Sequence, residues 1–456
     1  MFIAAVIYPL LVRLGYFVVK FKWFRSKISF LGRFPSDVPP GSMGWPFIGD
    51  YLSFLLPQKA HYMSKYFLER CFRYGPVFKC SPFGVPTLVS CDLELNNFIL
   101  QNEGILFASD YPKPIRKALG AESVIFSSGQ LHKRLRSLAV SFISTSNVSP
   151  DFISYIEKLS IIIMDTWRKE GKKEIVFYKE AQIFMLYYVL KRVLDIDIGD
   201  EKAAKIQEDI FTILGKGFSY IPGRTQARVK KARTRIRENL TAIISERLKQ
   251  NKLTLKAEWN DEDIVNVMLG LLMSLEPNAS LMTLVVYFLA RSPRAILELK
   301  NEHESMGEPL SLEDHRKMDF TLKVINETLR CGNVTKYVYR KALKDVRYKG
   351  YLIPSGWRVI PFITGTHLNP SLHENPYEFN PWRWDYKETK REVMPFGGGL
   401  KICPGAEFAK HSVAFFLHHF VLNFNWKIRL DECPVSRPFM GSEKELVLEI
   451  EPAAME

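Results

Sequence analysis

The sequence predicts a mainly α-helical fold with a minor β portion, and three observations carry that expectation. From about residue 58 to 330 the apolar residues recur at helical spacing, with few β-rich interruptions. One stretch between residues 260 and 293 is apolar on nearly every side, which marks a helix buried end to end. After residue 335, β-rich runs broken at Gly350, Pro354 and Gly356 have the pattern of a small sheet. The chain has 456 residues, 47% hydrophobic and 25% charged, which is ample for one large core. No Gly/Ser linker or break in composition divides it after the first forty or so residues, so residues 51–456 read as a single domain. Thirty-two phenylalanines suit a protein that handles large apolar ligands, and equally a merely aromatic core.

The first nineteen residues, "MFIAAVIYPLLVRLGYFVV", are apolar except Arg13 and are followed by Lys20, Lys22, Arg25 and Lys27. As a helix they would span roughly 28 Å, about one hydrocarbon core. No small-residue cleavage site follows, so residues 1–19 read as a retained membrane anchor, and the basic flank predicts that the downstream chain stays cytosolic. Arg13 and Pro9 make an interfacial helix the alternative. Residues 20–50 form this flank and a turn-rich, Pro-rich hinge, "DVPPGSMGWPFIGD" (37–50).

Within the domain, "VFKCSPF" (77–83) and "TLVSC" (87–91) are strand-like. The formal net charge of +14 raises nucleic acid as a partner, but there is no basic stripe with exposed aromatics and no reading module. The densest basic cluster, "RTQARVKKARTRIR" (224–237), has helical spacing and reads as a solvated face, with a membrane or partner surface as the alternative. Six scattered cysteines without a CxxC pair signal neither a disulfide framework nor a zinc site, which suits a reducing compartment.

The long helix runs from Asn260, a capping residue with acids in the turn after it, to Ser292-Pro293. At about thirty residues it would be roughly 45 Å long, enough to cross the domain. A Pro/Asn/aromatic coil, "HLNPSLHENPYEFNPWRW", follows the sheet. Then come "PFGGGLKICPG" (395–405) and an amphipathic helix expected from Pro404.

Three consecutive glycines let backbone lie flat against a large rigid body, because no Cβ intervenes. Phosphate cradling is excluded, since GxxxxGK[ST] is absent. Cys403 directly precedes a proline, which is favoured at the first position of a helix, so its sulfur is expected at a helix N-terminus that favours a thiolate. Such a sulfur suits an axial ligand of a haem iron, although a lone cysteine is more often a small buried hydrophobe.

Phe396-x-x-Gly399-x-Lys401-x-Cys403-x-Gly405 resembles the haem-binding signature of the cytochrome P-450 superfamily, with Lys401 where Arg or His is usual. Glu327-x-x-Arg330 in "NETLR" resembles the family's Glu-x-x-Arg helix, and Arg383 in "FNPWRW" stands where a second arginine completes its triad. Residues three apart on a helix can meet, and a buried Glu between two Arg is tolerable only when fully hydrogen-bonded. The triad's implied role is structural: it locks the region behind the cysteine loop. The resemblance covers essentially the whole chain and implies the cytochrome P-450 fold, with a long central helix over the haem and a Cys-ligand loop.

The same resemblance implies heme b (iron protoporphyrin IX) as cofactor, with Cys403 as the metal ligand and Phe396, Gly399 and Gly405 in the loop that backs it. His132 and Arg136 in "GQLHKRLR" stand where the family often has Trp-x-x-x-Arg, and with Arg340 and Lys401 they are the implied propionate partners. The implied reaction is hydroxylation of a small hydrophobic substrate with O2. Its electrons would come from NADPH through NADPH-cytochrome P-450 reductase, docked on the basic face, at the endoplasmic reticulum membrane.

On the long helix the family carries a small-small-x-acid-Thr run. The best register here is Met273-Ser274-Leu275-Glu276-Pro277-Asn278, with Glu276 in the acid position and Pro277 in place of Thr. Proline cannot offer a hydroxyl, but it leaves the carbonyl of Met273 without its usual N–H. Glu276, Ser274 and Asn278 are therefore the candidates for proton supply, and a simple kink is the plainer reading. Some haem-thiolate proteins rearrange a pre-oxidised substrate without a reductase and also lack the Thr. That isomerase or lyase activity is the alternative function, and the compact cysteine loop favours the monooxygenase. "GSMGWPFIGD", "GYLIPSGW" and "PFGGGLKICPGAEFAK" look most like the plant clan that oxidises sterols, brassinosteroid precursors, triterpenoids and diterpenoids. A polycyclic isoprenoid is the implied substrate. Its candidate contacts are residues 110–120, Leu272, Glu276, Pro277, Val334 and Thr335. "GFSYIPGRTQA" (217–227) is shorter than that clan's usual membrane-facing loop.

Overall fold

The computed structural model describes residues 35–453 except 45–48, 51–57, 83, 121, 145–148, 217–223, 251–258, 307–309, 311, 430–433, 437–441 and 445. The expected anchor, its basic flank to residue 34 and most of the loop at 217–227 lie outside the described residues.

Strand β1 (Gln58–Lys59) precedes helix α1 (Lys65–Tyr74), and the antiparallel pair β2 (Val77–Cys80) and β3 (Thr87–Ser90) falls inside the two strand-like runs. Helix α2 (Leu93–Gln101), strand β4 (Phe107–Ser109) and helix α3 (Lys113–Leu119) lead into longer elements. These are α4 (Gly129–Ile143), α5 (Pro150–Lys169), the short strand β5 (Glu174–Val176), α6 (Phe177–Leu194), α7 (Glu201–Lys216) and α8 (Arg224–Lys249). Helices α9 (Asp261–Met273), α10 (Leu275–Ala290), α11 (Pro293–Glu304), α12 (Leu312–Lys317) and α13 (Asp319–Gly332) complete the helical half. The β-rich stretch supplies β6 (Arg340–Ala342), β7 (Val346–Tyr348), β8 (Tyr351–Ile353) and β9 (Arg358–Pro361). Helices α14 (Ile363–His367), α15 (Lys387–Arg391) and α16 (Ala406–Asn423) follow. The chain closes with β10 (Phe424–Ile428), β11 (Val435–Ser436), β12 (Ser442–Lys444) and β13 (Val447–Pro452).

The main sheet has the order β2-β3-β9-β6-β4 and joins strands from both halves of the chain. Its central pair, β3 and β9, is parallel, with Thr87 opposite Arg358 and Ser90 opposite Pro361. The hairpin β7–β8 turns through Lys349 and Gly350, both at positive φ, as a two-residue type I′ turn requires. Part of the expected hinge is laid on this sheet. Val38 packs with Leu352 and Trp357, and the buried Asp50 accepts from the Ser81 amide at 3.1 Å and pairs with Arg70.

The long helix is two segments that meet at Ser274. Asn260 caps the first in a capping box with Asp263: its side chain accepts from the Asp263 amide at 2.8 Å. The break follows from Pro277, which has no N–H for the Met273 carbonyl. Ser274 instead tightens the turn, its amide reaching the Leu271 carbonyl at 3.1 Å and its hydroxyl the same oxygen at 2.6 Å. Asp261–Ala290 is long and apolar enough to cross a membrane, but 78% of its most apolar window is buried, as in a core helix. Helix α10 packs on α6 and α13.

Two expectations near the cysteine need correction. The last helix begins at Ala406, with Gly405 as its cap, and not at Pro404. It is also buried on nearly all sides from Phe408 to Val421, because α5, α10, α11 and α13 all pack around it. In α8 the basic cluster is solvated only in part: Val229, Ala232 and Ile236 point inward and Lys230 and Lys231 are exposed, but Arg233 is half-buried against Gly120 and Arg235 pairs with the buried Asp209.

Candidate active site

The cysteine loop is built by short backbone bonds. The Cys403 amide donates to the Phe396 carbonyl at 3.0 Å, Ile402 to Gly399 at 3.2 Å and Gly397 to Met394 at 3.0 Å. Gly399 has φ +62°, and a Cβ there would lie 2.0 Å from the Leu100 carbonyl oxygen at the end of α2. That close approach makes glycine obligatory at 399. Gly397 is also at positive φ (+75°), but nothing in the protein lies within 4 Å of where its Cβ would be.

Because the helix starts at Ala406, Pro404-Gly405 forms a turn between the sulfur and the helix. The sulfur still lies at the helix N-terminus, because the amide it meets is that of Gly405, the residue that caps α16. Burial pushes the Cys403 thiol up, opposed by the Gly405 backbone N–H, which donates to the sulfur, and by the Arg136 charge. The residue is nonetheless accessible. Cys403 is thus surrounded by protein on one side and open to solvent on another.

Behind the loop, Glu327, Arg330 and Arg383 meet as the sequence implies. Arg330 forks onto Glu327 at 2.8 and 3.0 Å, and the Arg383 Nε reaches the Glu327 Oε1 at 3.1 Å. The Asn380 amide (3.1 Å) and the Trp384 indole (3.0 Å) donate to the same carboxylate. Burial would raise the Glu327 carboxyl, but the Arg330 and Arg383 charges outweigh it and hold it below its usual range. Arg330 also donates to the carbonyls of His367 and Pro376, both at 2.8 Å. His367 in turn accepts from the Met394 amide at 2.9 Å, where the cysteine loop begins. The triad thus reaches the loop through one buried histidine.

On the other side of the sulfur the implied propionate partners converge. The Lys401 ammonium is caged by the carbonyls of Val124 (3.2 Å), Ile125 (3.1 Å) and Ser127. Burial lowers Lys401 to about 8, with Glu103 opposing and Arg340 adding to the fall. Arg340 is buried and paired with the buried Glu103 at 2.5 Å. Arg136 donates to the Ile402 carbonyl at 2.5 Å. His132 is buried with its Nε2 lacking any partner, and burial together with Lys401 and Arg136 lowers it to about 4. Three cations face one carboxylate, leaving two unbalanced positive charges beside an orphaned imidazole nitrogen. Those are the partners that two propionates need, so the residues fit a haem seated on Cys403. Sequence reasoning missed Glu103 and Trp384: nothing local in "QNEGILF" marks the first, and the second is hidden beside Arg383.

Ser274, Pro277 and Asn278 share one side of the broken helix. Glu276, two residues beyond Ser274, is about 200° round it. Its buried carboxylate accepts from the Tyr178 phenol and, at 3.2 Å, from the Gln182 amide, both on α6. The Ser280 hydroxyl bonds to the same phenol. Among the implied substrate contacts Leu272 is buried, Val334 half-buried and Thr335 exposed. In the 110–120 segment Ile115, Ala118 and Leu119 join the core, and the Tyr111 ring lies 5.4 Å from that of Tyr339. Arg134, left out of the propionate set, pairs with Asp263 at 2.8 Å.

The cytochrome P450 family profile matches residues 39–455. The chain is 42% identical over 444 residues to cytochrome P450 724B1 of Oryza sativa subsp. japonica, covering 92% of each. It is 35% identical to cholesterol 16,22-dihydroxylase CYP90G4 of Trigonella foenum-graecum, over 91% of this chain and 92% of that one. It is 34% identical to a steroid (22S)-hydroxylase of Brachypodium distachyon, over 92% and 89%. The solved structure of retinoic acid-bound cyanobacterial CYP120A1 has the same fold, with a TM-score of 0.75 at 20% identity over 91% of this chain and 99% of that one. A match over nearly the whole chain, added to a cysteine loop, a buried Glu-Arg-Arg triad and a cluster of cations beside the loop, places this chain in the cytochrome P450 family, as a haem-thiolate monooxygenase.

Proposed function

We propose that the protein hydroxylates a sterol or related steroid on its side chain, at or beside C-22, using O2 and electrons from NADPH delivered by NADPH-cytochrome P-450 reductase. The accessible Cys403 sulfur in its glycine loop carries the chemistry of this reading. The relatives named cholesterol 22-hydroxylases and steroid (22S)-hydroxylases support the substrate and position. The same names favour hydroxylation over rearrangement.

Bound at Cys403, the haem supplies the oxygen-activating chemistry. The chain's own residues hold and dry the site. The Gly405 N–H fixes the sulfur, while Lys401, Arg340, Arg136 and His132 take the carboxylates. Pro277 and Val334, which are not fully buried, offer apolar surface to fused rings, backed by the buried Leu272 and the 110–120 segment. For proton supply, Ser274 and Asn278 lie on the side of the break, and Glu276 lies on the side of α6. The Met273 carbonyl is deprived of an amide by Pro277, and a water held on it would connect the two. In this reading residues 1–19 anchor the enzyme in the endoplasmic reticulum membrane with the catalytic domain in the cytosol, and exposed Lys133, Leu400 and Ile402 contribute to the reductase-facing side.

The test is reconstitution with reductase and NADPH on a panel of sterols, after a reduced carbon monoxide spectrum has confirmed thiolate ligation. A 22-hydroxylated product that depends on NADPH is expected. Product formed without reductant, or oxidation only of non-steroid substrates, would overturn the reading.

A further inference from the structure

Two cysteines away from the active site lie against each other. Cys71 on α1 and Cys91 just after β3 have their sulfurs 3.1 Å apart, about 1 Å beyond the roughly 2.05 Å of a disulfide bond. The intervening β2–β3 hairpin returns the chain to α1, and the Cys91 amide is fixed to the Pro76 carbonyl at 2.8 Å. Behind Cys91 lies Gly365 of α14, where a Cβ would sit 2.6 Å from the sulfur. That sulfur is therefore backed by bare backbone, with Cys71 as its neighbour in front. Cys71 is half-buried beside the almost fully exposed Phe72, so an oxidant in solution reaches Cys71 first. The contact also lowers the Cys71 thiol, which makes it the better nucleophile, and raises that of Cys91.

We propose that Cys71 and Cys91 are a thiol-modification site, a pair that a hydroperoxide converts into a reversible disulfide. The Cys71 thiolate attacks the peroxide and cleaves its O–O bond, giving a sulfenic acid and a hydroxide or alkoxide that leaves as water or an alcohol with the proton the Cys71 thiol gave up. The Cys91 sulfur then displaces hydroxide from that sulfenic acid, and the hydroxide leaves as water with the Cys91 proton. The two sulfurs lose two electrons in total and the peroxide gains them. In a reducing cytosol the pair rests as two thiols. The bridge would tie α1 to the strand end from which α2 departs, and the far end of α2 abuts Gly399 of the cysteine loop. Its expected effect is a stiffer wall beside the loop, with no change at Cys403.

The experiment treats the full-length haem-loaded protein with a small molar excess of hydrogen peroxide, followed by non-reducing peptide mapping. A cross-linked peptide containing Cys71 and Cys91, two hydrogens lighter than its parts and lost on dithiothreitol, is expected. The thermal midpoint should rise by a few degrees while the carbon monoxide spectrum stays unchanged. Cys71→Ser should abolish the cross-link. Cys80→Ser should keep it, since the Cys80 thiol is fully buried and pushed up to about 12. Sulfinic acid at Cys71 without a cross-link, or two unmodified thiols after treatment, would overturn the proposal. Both outcomes are read on the unsubstituted protein, so the result does not depend on a variant that folds.

Discussion

The Tyr178 phenol donates to the Glu276 carboxylate, so the acid of the long helix is held toward α6, about half a turn away from Ser274. Burial and the Glu276 charge both raise the phenol, which therefore stays a donor throughout the working pH range. Connection to the oxygen side must then pass the break at Ser274–Pro277. Asn278→Ala and Glu276→Gln are each expected to raise peroxide released per product several-fold in the reconstituted enzyme, with Tyr178→Phe giving a smaller rise. Unchanged coupling in all three would show that the break alone supplies protons and that Glu276 only packs.

Glu327 presents the opposite case, a buried carboxylate with every lone pair engaged. Replacing it with Ala leaves Arg330 and Arg383 as uncompensated buried cations, at a cost of roughly 3–5 kcal/mol. Its support of the cysteine loop runs through Arg330, His367 and Met394. Glu327→Ala should therefore abolish soluble, haem-loaded protein. A milder change, Trp384→Phe, removes one hydrogen bond and should cost about 1–2 kcal/mol of stability with the carbon monoxide spectrum preserved. Thermal melts and that spectrum together check both.

The parts legible in the sequence are those whose chemistry is written in neighbouring residues. Strands at 77–80 and 87–90, the Asn260 cap and the Glu327–Arg330 pair all depend on spacings of two to four residues. Pro277 marked a disturbance, and the break falls one turn earlier because the missing amide belongs to the Met273 carbonyl. What stayed hidden depends on distant chain. Glu103 finds Arg340 across 237 positions only because β4 pairs with β6. Strand β5 exists only because β13 closes on it near the other end of the sequence. The role given to Gly399 also changed, since its constraint is the carbonyl of Leu100 rather than a cofactor plane alone.

The two positive-φ glycines of the loop separate protein packing from cofactor packing. Gly399→Ala drives a Cβ into the Leu100 carbonyl, so it should destabilise the protein whether or not haem is bound. Gly397→Ala meets open space in the protein and should cost only about 1–2 kcal/mol of backbone strain in the haem-free form. If Gly397 lets the backbone lie against the haem, the same substitution will also lower haem retention well beyond that cost. Haem titration of both variants, beside melts of the haem-free proteins, checks the contrast. Equal effects in the two assays would remove the cofactor from the explanation of Gly397.

Acid should unfold the protein through its buried histidines, His132 and His367 among them, and the densest group is a cluster between α11, α13 and α16. The Thr321 hydroxyl donates to Glu302, so its oxygen receives the His303 Nε2–H at 3.0 Å. His303 Nδ1 is then a bare lone pair, which takes the His418 Nδ1–H at 3.1 Å. His418 Nε2 is left unprotonated and, like His419 Nε2, buried without a partner. Burial, aided by the neighbouring imidazoles, lowers His303 and His419 to about 3. Burial lowers His418 to about 4, with only Asp314 opposing. All three are neutral in the folded state, whereas an unfolded chain protonates them near pH 6.5. The unfolded state therefore binds more protons below that point, and stability falls as the pH drops from about 6.5 toward 4. Each histidine contributes a slope of up to about 1.4 kcal/mol per pH unit. Denaturant unfolding followed between pH 7.5 and 5 should show a steepening loss of stability below 6. His419→Phe, which removes one proton-binding site and no hydrogen bond of the chain from Thr321 to His418, should lessen that slope by about one proton. A slope indifferent to the substitution would place the acid sensitivity elsewhere.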